Sequence, residues 1–439
     1  MNPLAHLLAL RGAKVVGSDA VEKKSLDELR ANGVNCFVGH NANNISDSNV
    51  FVYSTAIKQD NPELVAAKNN NLMIIHRAEL LAKLVNNSRG VCVAGSHGKT
   101  TVSALTSVIF DVSGLKPTAV VGGFVQKFNA YYKNGNSDWV VVETDESDGS
   151  FQLFESEIAI VLNIDTDHLD YYKNIDELIT AFGNFIKKIK PDGVLIFNKD
   201  DANTRVAIEK FADGKKLVSC SKETTADFFA SDVHTNINSV GFIVYERATN
   251  EKYSVTLGIP GEHNVLNALQ AIAASRIAGA SINSVREACE LFTGVNRRFQ
   301  FIGKFHGADV IDDYAHHPRE IEAVLNTAKN LGKKIITVFQ PHRFTRTEKL
   351  FDEFVNVLSD CDNLILTEIY SAGETPGKIT GESLFDAVVS KNETAKFAKK
   401  LEQIPEILTG MLDKNSIILF LGAGTISNLA HEIVEEERK

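Results

Sequence analysis

The sequence predicts an α/β protein of several domains, with mostly parallel sheets doubly wound by helices on both faces. Three observations carry that expectation. Strand-like and helix-like segments alternate along nearly all 439 residues. The strand candidates are short continuous apolar runs, such as Gly90 to Ala94 and Ile158 to Leu162, which suit strands buried on both faces. A glycine turn, Gly95 to Gly98, joins one of those runs directly to a helical pattern. No fixed-period repeat and no low-complexity segment interrupts the alternation.

The chain divides into three blocks: residues 1–88, 89–296 and 297–439. In the first, Leu4, Leu7, Leu8 and Leu10 read as the end of a helix that feeds a strand finishing at Asp19. Ser25-Leu26-Asp27-Glu28 has the form of a capping box, predicting a helix that ends near Gly33. Asn49 to Tyr53 and Leu72 to Ile75 read as strands, with Pro62 placed to start the helix between them. The second block holds the glycine turn, a helix from Val102 to Phe110, and buried-strand runs at Trp139 to Val142, Ile158 to Leu162 and Val194 to Phe197. Residues 216–260 alternate polar and apolar, predicting a small antiparallel flap, and a long helix from Val265 to Ile277 closes the block. In the third, strands are expected at Asp309 to Asp312, Ile335 to Phe339, Leu364 to Thr367 and Ile417 to Leu421. Helices are expected from Pro318 to Leu331 and from Lys349 onward.

Net charge is −10, from 46 basic and 56 acidic residues, which argues against a broad nucleic-acid or anionic-membrane surface. A site for an anionic substrate needs only a few local cations. The five cysteines are scattered, with no C-x-x-C, and read as reduced, buried thiols of a cytoplasmic protein. No apolar stretch approaches the ~20 residues that a membrane helix needs.

Chemistry concentrates just past the strand runs. Gly95-Ser96-His97-Gly98-Lys99-Thr100-Thr101 follows a strand and opens a helix, so backbone N–H groups and the helix dipole aim at an anion. Lys99 is placed to reach the outer phosphates of a nucleotide, and Thr100 to offer its hydroxyl to Mg²⁺. The loop is a shortened P-loop, since Val93 stands where the full pattern has its first glycine; an ordinary glycine turn is the bland alternative. Glu143 ends the next strand and opens an acidic run to Asp148, either a magnesium site or a solvated loop. His168 lies among aspartates in 163–170, as a metal ligand, a phosphoryl hydrogen-bond donor or a structural histidine. Asn264 is either a helix cap or, with Asn267, a contact to a base or phosphate. Arg297 and Arg298 form either a surface pair or a phosphate clamp. Asp312 to Pro318 and Gln340 to Arg346 supply acids, imidazoles and two arginines, which suits a carboxylate or amino-acid substrate. Gly422-Ala423-Gly424 is a lone G-x-G, explained as well by close packing as by a ligand.

Read together, these stretches resemble the Mur ligases of peptidoglycan synthesis. The resemblance rests on Gly95–Thr101, Glu143–Phe151, Asn163–Asp170, His263–Ala268, Asn296–Phe299, Asp312–Pro318, Gln340–Thr347 and Tyr370–Glu374, in the family's order over nearly the whole chain. The Asp-Glu-Ser-Asp and Asp-Asp-Tyr-x-His-His-Pro stretches point to its alanine-adding branch. The resemblance implies an N-terminal Rossmann-like UDP-binding domain, a central P-loop ATPase domain and a C-terminal Rossmann-like domain. It implies that ATP and Mg²⁺ drive the joining of L-alanine to UDP-N-acetylmuramate through an acyl phosphate, in the cytoplasm, by a monomer or homodimer. By similarity, Lys99 holds the transferring phosphoryl group, Thr100 and Glu143 bind one Mg²⁺, and His168 binds a second. His263, Asn264, Asn267, Arg298 and Asp312 contact ATP, with Lys99, His168 and Arg298 forming the catalytic set. Tyr314, His342, Arg343 and Arg346 surround L-alanine, while Asp19 and Ser54 lie on the uridine side.

Family members begin with a strand and a glycine-rich loop for the uridine diphosphate, whereas this chain starts just after them. The expectation is an N-terminal domain truncated at its start, ATP binding retained, and UDP-sugar binding weaker by roughly 10²- to 10⁴-fold. A recycling ligase that adds a peptide, a folylpolyglutamate-type ligase and a non-catalytic nucleotide-binding protein are the rival readings.

Overall fold

The computed structural model describes residues 1–165, 171–236, 238–413 and 415–438. It separates into two compact units. One comprises residues 1–231, 243–255 and 266–292; the other comprises 232–242, 256–265 and 293–439.

The N-terminal residues form two small parallel pairs. β1 (Val16–Asp19) pairs with β2 (Asn35–Val38), and β3 (Val50–Tyr53) pairs with β4 (Met73–His76). The helix Asn2–Leu10 precedes β1, as its leucine spacing predicts, and Pro62 opens the helix Pro62–Asn69. The capping box at Ser25 does not form. The helix Lys24–Ala31 instead starts after Lys23, whose ammonium is drawn 2.9 Å from the Asp19 carboxylate. Leu4, Leu81, Ala82 and Val85 join the core beneath the central sheet, which ties this segment to it by burial of apolar surface.

A ten-stranded sheet follows: β5 (Arg89–Ala94), β6 (Thr118–Val125), β7 (Ala130–Lys133), β8 (Trp139–Glu143), β9 (Ile158–Val161), β10 (Val194–Asn198), β11 (Lys216–Ser221), β12 (Phe228–Thr235), β13 (Val240–Glu246) and β14 (Glu251–Leu257). Its order is β14-β13-β12-β11-β10-β9-β5-β8-β6-β7. β5 lies at the centre, parallel to both β8 and β9, and only its first residue is exposed. Residues 216–260 therefore do not make a separate flap. They extend the same sheet, beginning with a parallel β11–β12 pair, and their polar–apolar alternation is that of strands covered on one face. The helix Lys99–Val112 is buried from Thr101 to Phe110, where it packs against the helix Ile282–Leu291.

The second unit holds a six-stranded sheet: β15 (Gln300–Phe305), β16 (Ala308–Asp313), β17 (Lys334–Phe339), β18 (Leu364–Thr367), β19 (Lys396–Ala398) and β20 (Ser416–Leu421), ordered β15-β16-β20-β17-β18-β19. All neighbours are parallel except β15 and β16. Apolar clusters cover both of its faces, one built on Phe339, Phe354 and Leu366, the other on Val338, Phe420 and Ile433. The helix expected from Lys349 starts earlier, at Phe344, and breaks once at Leu350 into Phe344–Lys349 and Phe351–Ser359.

All five cysteines are unpaired with one another, and four are buried. No helix among the described residues is long and apolar enough to cross a membrane.

Candidate active site

In the first unit the carboxyl ends of β8, β5 and β9 lie side by side at the centre of the sheet, where parallel-sheet proteins hold ligands. The loop after β5 turns sharply at Gly95 (φ +148°) and Gly98 (φ +87°). A Cβ at Gly95 would sit 2.8 Å from the Leu162 Cβ, and one at Gly98 2.7 Å from the Asn267 Oδ1. Gly95 is thus demanded by both backbone and contacts, and Gly98 by its left-handed backbone. The Gly98 contact also brings Asn267, a predicted ATP ligand, to the mouth of the loop.

The loop after β9 holds the phosphate loop in shape. Asn163 accepts the His97 N–H at 2.8 Å and donates to the His97 carbonyl at 3.0 Å. Ser96 Oγ accepts from the Asp165 N–H at 2.9 Å, and the His97 ring lies 3.1 Å from the Asp165 carboxylate. The sequence places Asn163 and Asp165 in the family-matching stretch 163–170 but gives neither a role, because a side chain that braces a loop 66 residues away leaves no local signal. His168 lies outside the described residues.

Lys99 folds back over its own loop, donating to the Gly95 carbonyl at 2.6 Å and to the Glu146 carboxylate at 2.7 Å. Glu146 is wholly buried. Burial opposes the lysine's charge, but Glu146, then Glu143 and Asp145, outweigh it and hold the ammonium above its ordinary pKa. Thr100 donates its hydroxyl to Glu143, whose two oxygens lie 3.1 and 3.0 Å away, and Gly122 N–H donates to the same carboxylate at 2.9 Å. A hydroxyl and a carboxylate side by side are hard oxygen donors of the kind that hold Mg²⁺. Among the described residues no group of three His, Cys, Asp or Glu closes into a cage.

In the second unit the ends of β16, β20, β17 and β18 form a comparable edge. Asp312 is wholly buried, accepts the Ser427 hydroxyl at 2.6 Å and faces the Arg297 Nε at 3.8 Å. Tyr314 lies under two guanidiniums, with Arg297 4.8 Å and Arg298 5.6 Å from its ring centre. Arg298 also lies 3.8 Å from Glu320. His342 stands 5.7 Å from His316, ring to ring, and accepts from Arg346 Nη1 across 3.3 Å. Burial, then His316, Arg346 and Arg343, lower its pKa to about 4, so its ring is neutral at pH 7 and free to accept that hydrogen bond. Arg343 takes φ +71° and ψ +135°, a backbone region costing about 1–3 kcal/mol for a residue with a side chain. Tyr314, His342, Arg343 and Arg346 thus belong to one sheet edge, as the sequence predicts. His263 opens the helix His263–Ile277, so Asn264 lies within its first turn rather than at its cap, and its amide donates to the Pro260 carbonyl at 2.7 Å. Asp19 is the last residue of β1 and Ser54 follows the end of β3, the two strands belonging to separate parallel pairs.

Beside its neighbour Asp312, Asp313 is given no role by the sequence. It accepts from the Phe299 N–H at 2.6 Å and the Ala315 N–H at 2.7 Å, yet burial raises its pKa to about 6. A carboxyl whose folded pKa exceeds its unfolded one binds extra protons in the folded state, so its contribution to stability falls as pH rises between about 4 and 6. The stability of the native chain minus that of Asp313→Asn is expected to drop by roughly 3 kcal/mol across that window. Denaturant titrations of both proteins from pH 4 to pH 7 measure it, and parallel curves contradict it.

Three family models match in sequence order. "Mur ligase family, catalytic domain" covers residues 1–89, "Mur ligase middle domain" 93–275 and "Mur ligase, glutamate ligase domain" 297–424. The UDP-N-acetylmuramate–L-alanine ligase of Carboxydothermus hydrogenoformans is 37% identical over 437 residues, 99% of this chain and 94% of that relative. The enzyme of the same name from Rickettsia bellii is 38% identical, again over 99% and 94%. Among solved structures, UDP-N-acetylmuramate-alanine ligase of Thermotoga maritima superposes with a TM-score of 0.83 at 29% identity, covering 100% of this chain and 96% of that one. A murein peptide ligase of Psychrobacter arcticus, 21% identical with a TM-score of 0.74, shares the fold. With three domain models matched in order and such relatives along nearly its full length, the chain belongs to the Mur ligase family.

Proposed function

We propose that this chain is an ATP-dependent ligase that joins L-alanine to the lactoyl carboxylate of UDP-N-acetylmuramate in peptidoglycan precursor synthesis. The observation that carries the reading is the arrangement of Lys99, Thr100 and Glu143 at adjacent strand ends, the ammonium and one metal-type oxygen coming from the loop after β5 and the carboxylate from the end of β8. A carboxylate oxygen of the sugar attacks the γ-phosphorus of ATP, and the bond to ADP breaks. The amine of L-alanine then attacks the acyl phosphate, loses a proton, and phosphate leaves as the amide forms. Lys99 neutralises charge on the transferring phosphoryl group, and the loop's N–H groups orient it. Thr100 and Glu143 are the residues that hold Mg²⁺, which when bound supplies electrostatic stabilisation of the phosphates.

Arg298, Asp312, His263, Asn264 and Asn267 are assigned to the nucleotide, and Tyr314, His342, Arg343 and Arg346 to the amino substrate. Arginine forks match the L-alanine carboxylate, and a neutral His342 leaves its amine unopposed. Asp19 and Ser54 are assigned to the uridine side, and His168 to a second metal. Residues 1–88, 89–296 and 297–439 form the UDP-sugar, ATP and amino-acid portions. We place the protein in the cytoplasm, as a monomer or homodimer acting on small molecules, without nucleic-acid or membrane partners.

The test is phosphate release from ATP with UDP-N-acetylmuramate and, in turn, L-alanine, glycine, L-serine and a tripeptide. The expected outcome is release that requires Mg²⁺, the UDP-sugar and L-alanine together. Release with the tripeptide alone assigns the recycling chemistry instead, and ATP binding without any release assigns a non-catalytic binder.

A further inference from the structure

The segment that carries Arg343 and Arg346 has no cap of its own. The helix Phe344–Lys349 begins after Arg343, whose side chain makes no capping hydrogen bond. Its first turn is satisfied from a different strand end. Glu374, past β18, accepts the Thr345 N–H at 3.1 Å and the Thr345 hydroxyl at 2.7 Å, one on each carboxylate oxygen. Tyr370, four residues earlier, fixes the other side. Its carbonyl accepts the Arg343 N–H at 2.8 Å, and its N–H donates to the Pro341 carbonyl at 2.8 Å. Its ring lies parallel to that of His342, 5.7 Å away at 19°. Residues 370–374 close on themselves through Ala372 (φ +50°), Gly373 (φ +87°) and a Glu374 N–H bond to the Ser371 carbonyl at 3.0 Å.

We propose that Tyr370 and Glu374 are positioning residues that set the amino-acid selectivity of this ligase. Glu374 supplies the anionic cap that Arg343, whose guanidinium has no acceptor, cannot provide, and so fixes the first turn of the short helix that carries both arginines. Tyr370 holds the left-handed Arg343 backbone and the His342 ring at one height. The strap thereby fixes the distance between the two arginines and the neutral imidazole, and with it the size of amino acid admitted. This rests on the assignment of His342, Arg343 and Arg346 to the amino substrate.

Glu374→Ala and Glu374→Gln are to be compared with Arg343→Ala and Arg346→Ala. Each is read by the KM values for L-alanine and ATP and by equilibrium dialysis of labelled L-alanine in the presence of an unreactive ATP analogue. The expected result is a rise of about tenfold in KM and Kd for L-alanine in Glu374→Ala. Glu374→Gln gives a smaller rise, the preference over glycine and L-serine narrows, and KM for ATP stays constant. Equal rises for L-alanine and ATP, or no change in either variant while the arginine variants weaken L-alanine, overturn the positioning role and leave the substrate assignment standing. Unaltered L-alanine binding in Arg343→Ala and Arg346→Ala overturns the assignment itself, and the proposal with it.

Discussion

Lys99→Ala is expected to lower turnover several hundred-fold or more, since one preorganised donor to developing phosphoryl charge is worth about 3–4 kcal/mol. The loss has a second component. Lys99 is the ion-pair partner of the wholly buried Glu146, at 2.7 Å, and taking the cation from such a pair costs about 3–5 kcal/mol of stability. The two effects separate in a double variant. Lys99→Met with Glu146→Gln removes both charges from the same volume, so thermal stability returns while turnover does not. Single-turnover phosphate release, measured beside the melting temperature, distinguishes them. If the double variant recovers turnover, Lys99 acts on folding alone and its assigned role in phosphoryl transfer is wrong.

Phe151→Ala is expected to cost about 3–5 kcal/mol, the range for emptying a buried aromatic site. Phe151 is wholly buried, 5.0 Å from the Phe182 ring at 67° and 5.5 Å from the Phe185 ring. Its backbone N–H donates to the Asp145 carbonyl at 3.1 Å, so the same residue that fills the core also anchors the acidic loop bearing Asp145 and Glu146. That backbone bond survives the substitution, but without the ring the loop is no longer pinned to the core. The variant should therefore lose turnover even at temperatures where it is folded, because Glu146 no longer meets Lys99 from a fixed position. Phe151→Leu keeps most of the volume and should cost under about 1.5 kcal/mol. Urea unfolding of the three proteins gives the energies. A Phe151→Ala protein with undiminished turnover when folded would show that the loop is held by its polar contacts alone.

The parts of this architecture that announce themselves in the sequence are those whose causes are local. β5, the glycine turn and the helix from Lys99 are an apolar run, two backbone positions that exclude side chains and a helical repeat, each legible within ten residues. The strand ends that carry Glu143 and Asp312 follow from the same logic. Contacts made across the fold leave no such trace. Glu146 reads as one more acid in a solvated run until its burial beside Lys99 is seen. Residues 216–260 show the alternation of a half-covered strand, which an isolated flap and the margin of a large sheet share. Ser25 displays a good cap, but the helix starts earlier, after Lys23, which is also paired with Asp19. The helix at Phe344 is hidden because its cap, Glu374, lies 29 residues from Thr345.

Arg343, Arg297 (φ +62°) and Phe299 (φ +45°) occupy backbone conformations that glycine adopts without penalty. At each of them the chain carries a side chain where only glycine, which lacks Cβ, would relax the backbone. The second unit is thus less stable than its backbone alone would allow, and the deficit sits where its guanidiniums meet the sheet edge. At Arg343, assigned to the amino substrate, selection for heat resistance and selection for ligation pull in opposite directions. A protein improved only for the first would drift toward glycine there and lose that guanidinium.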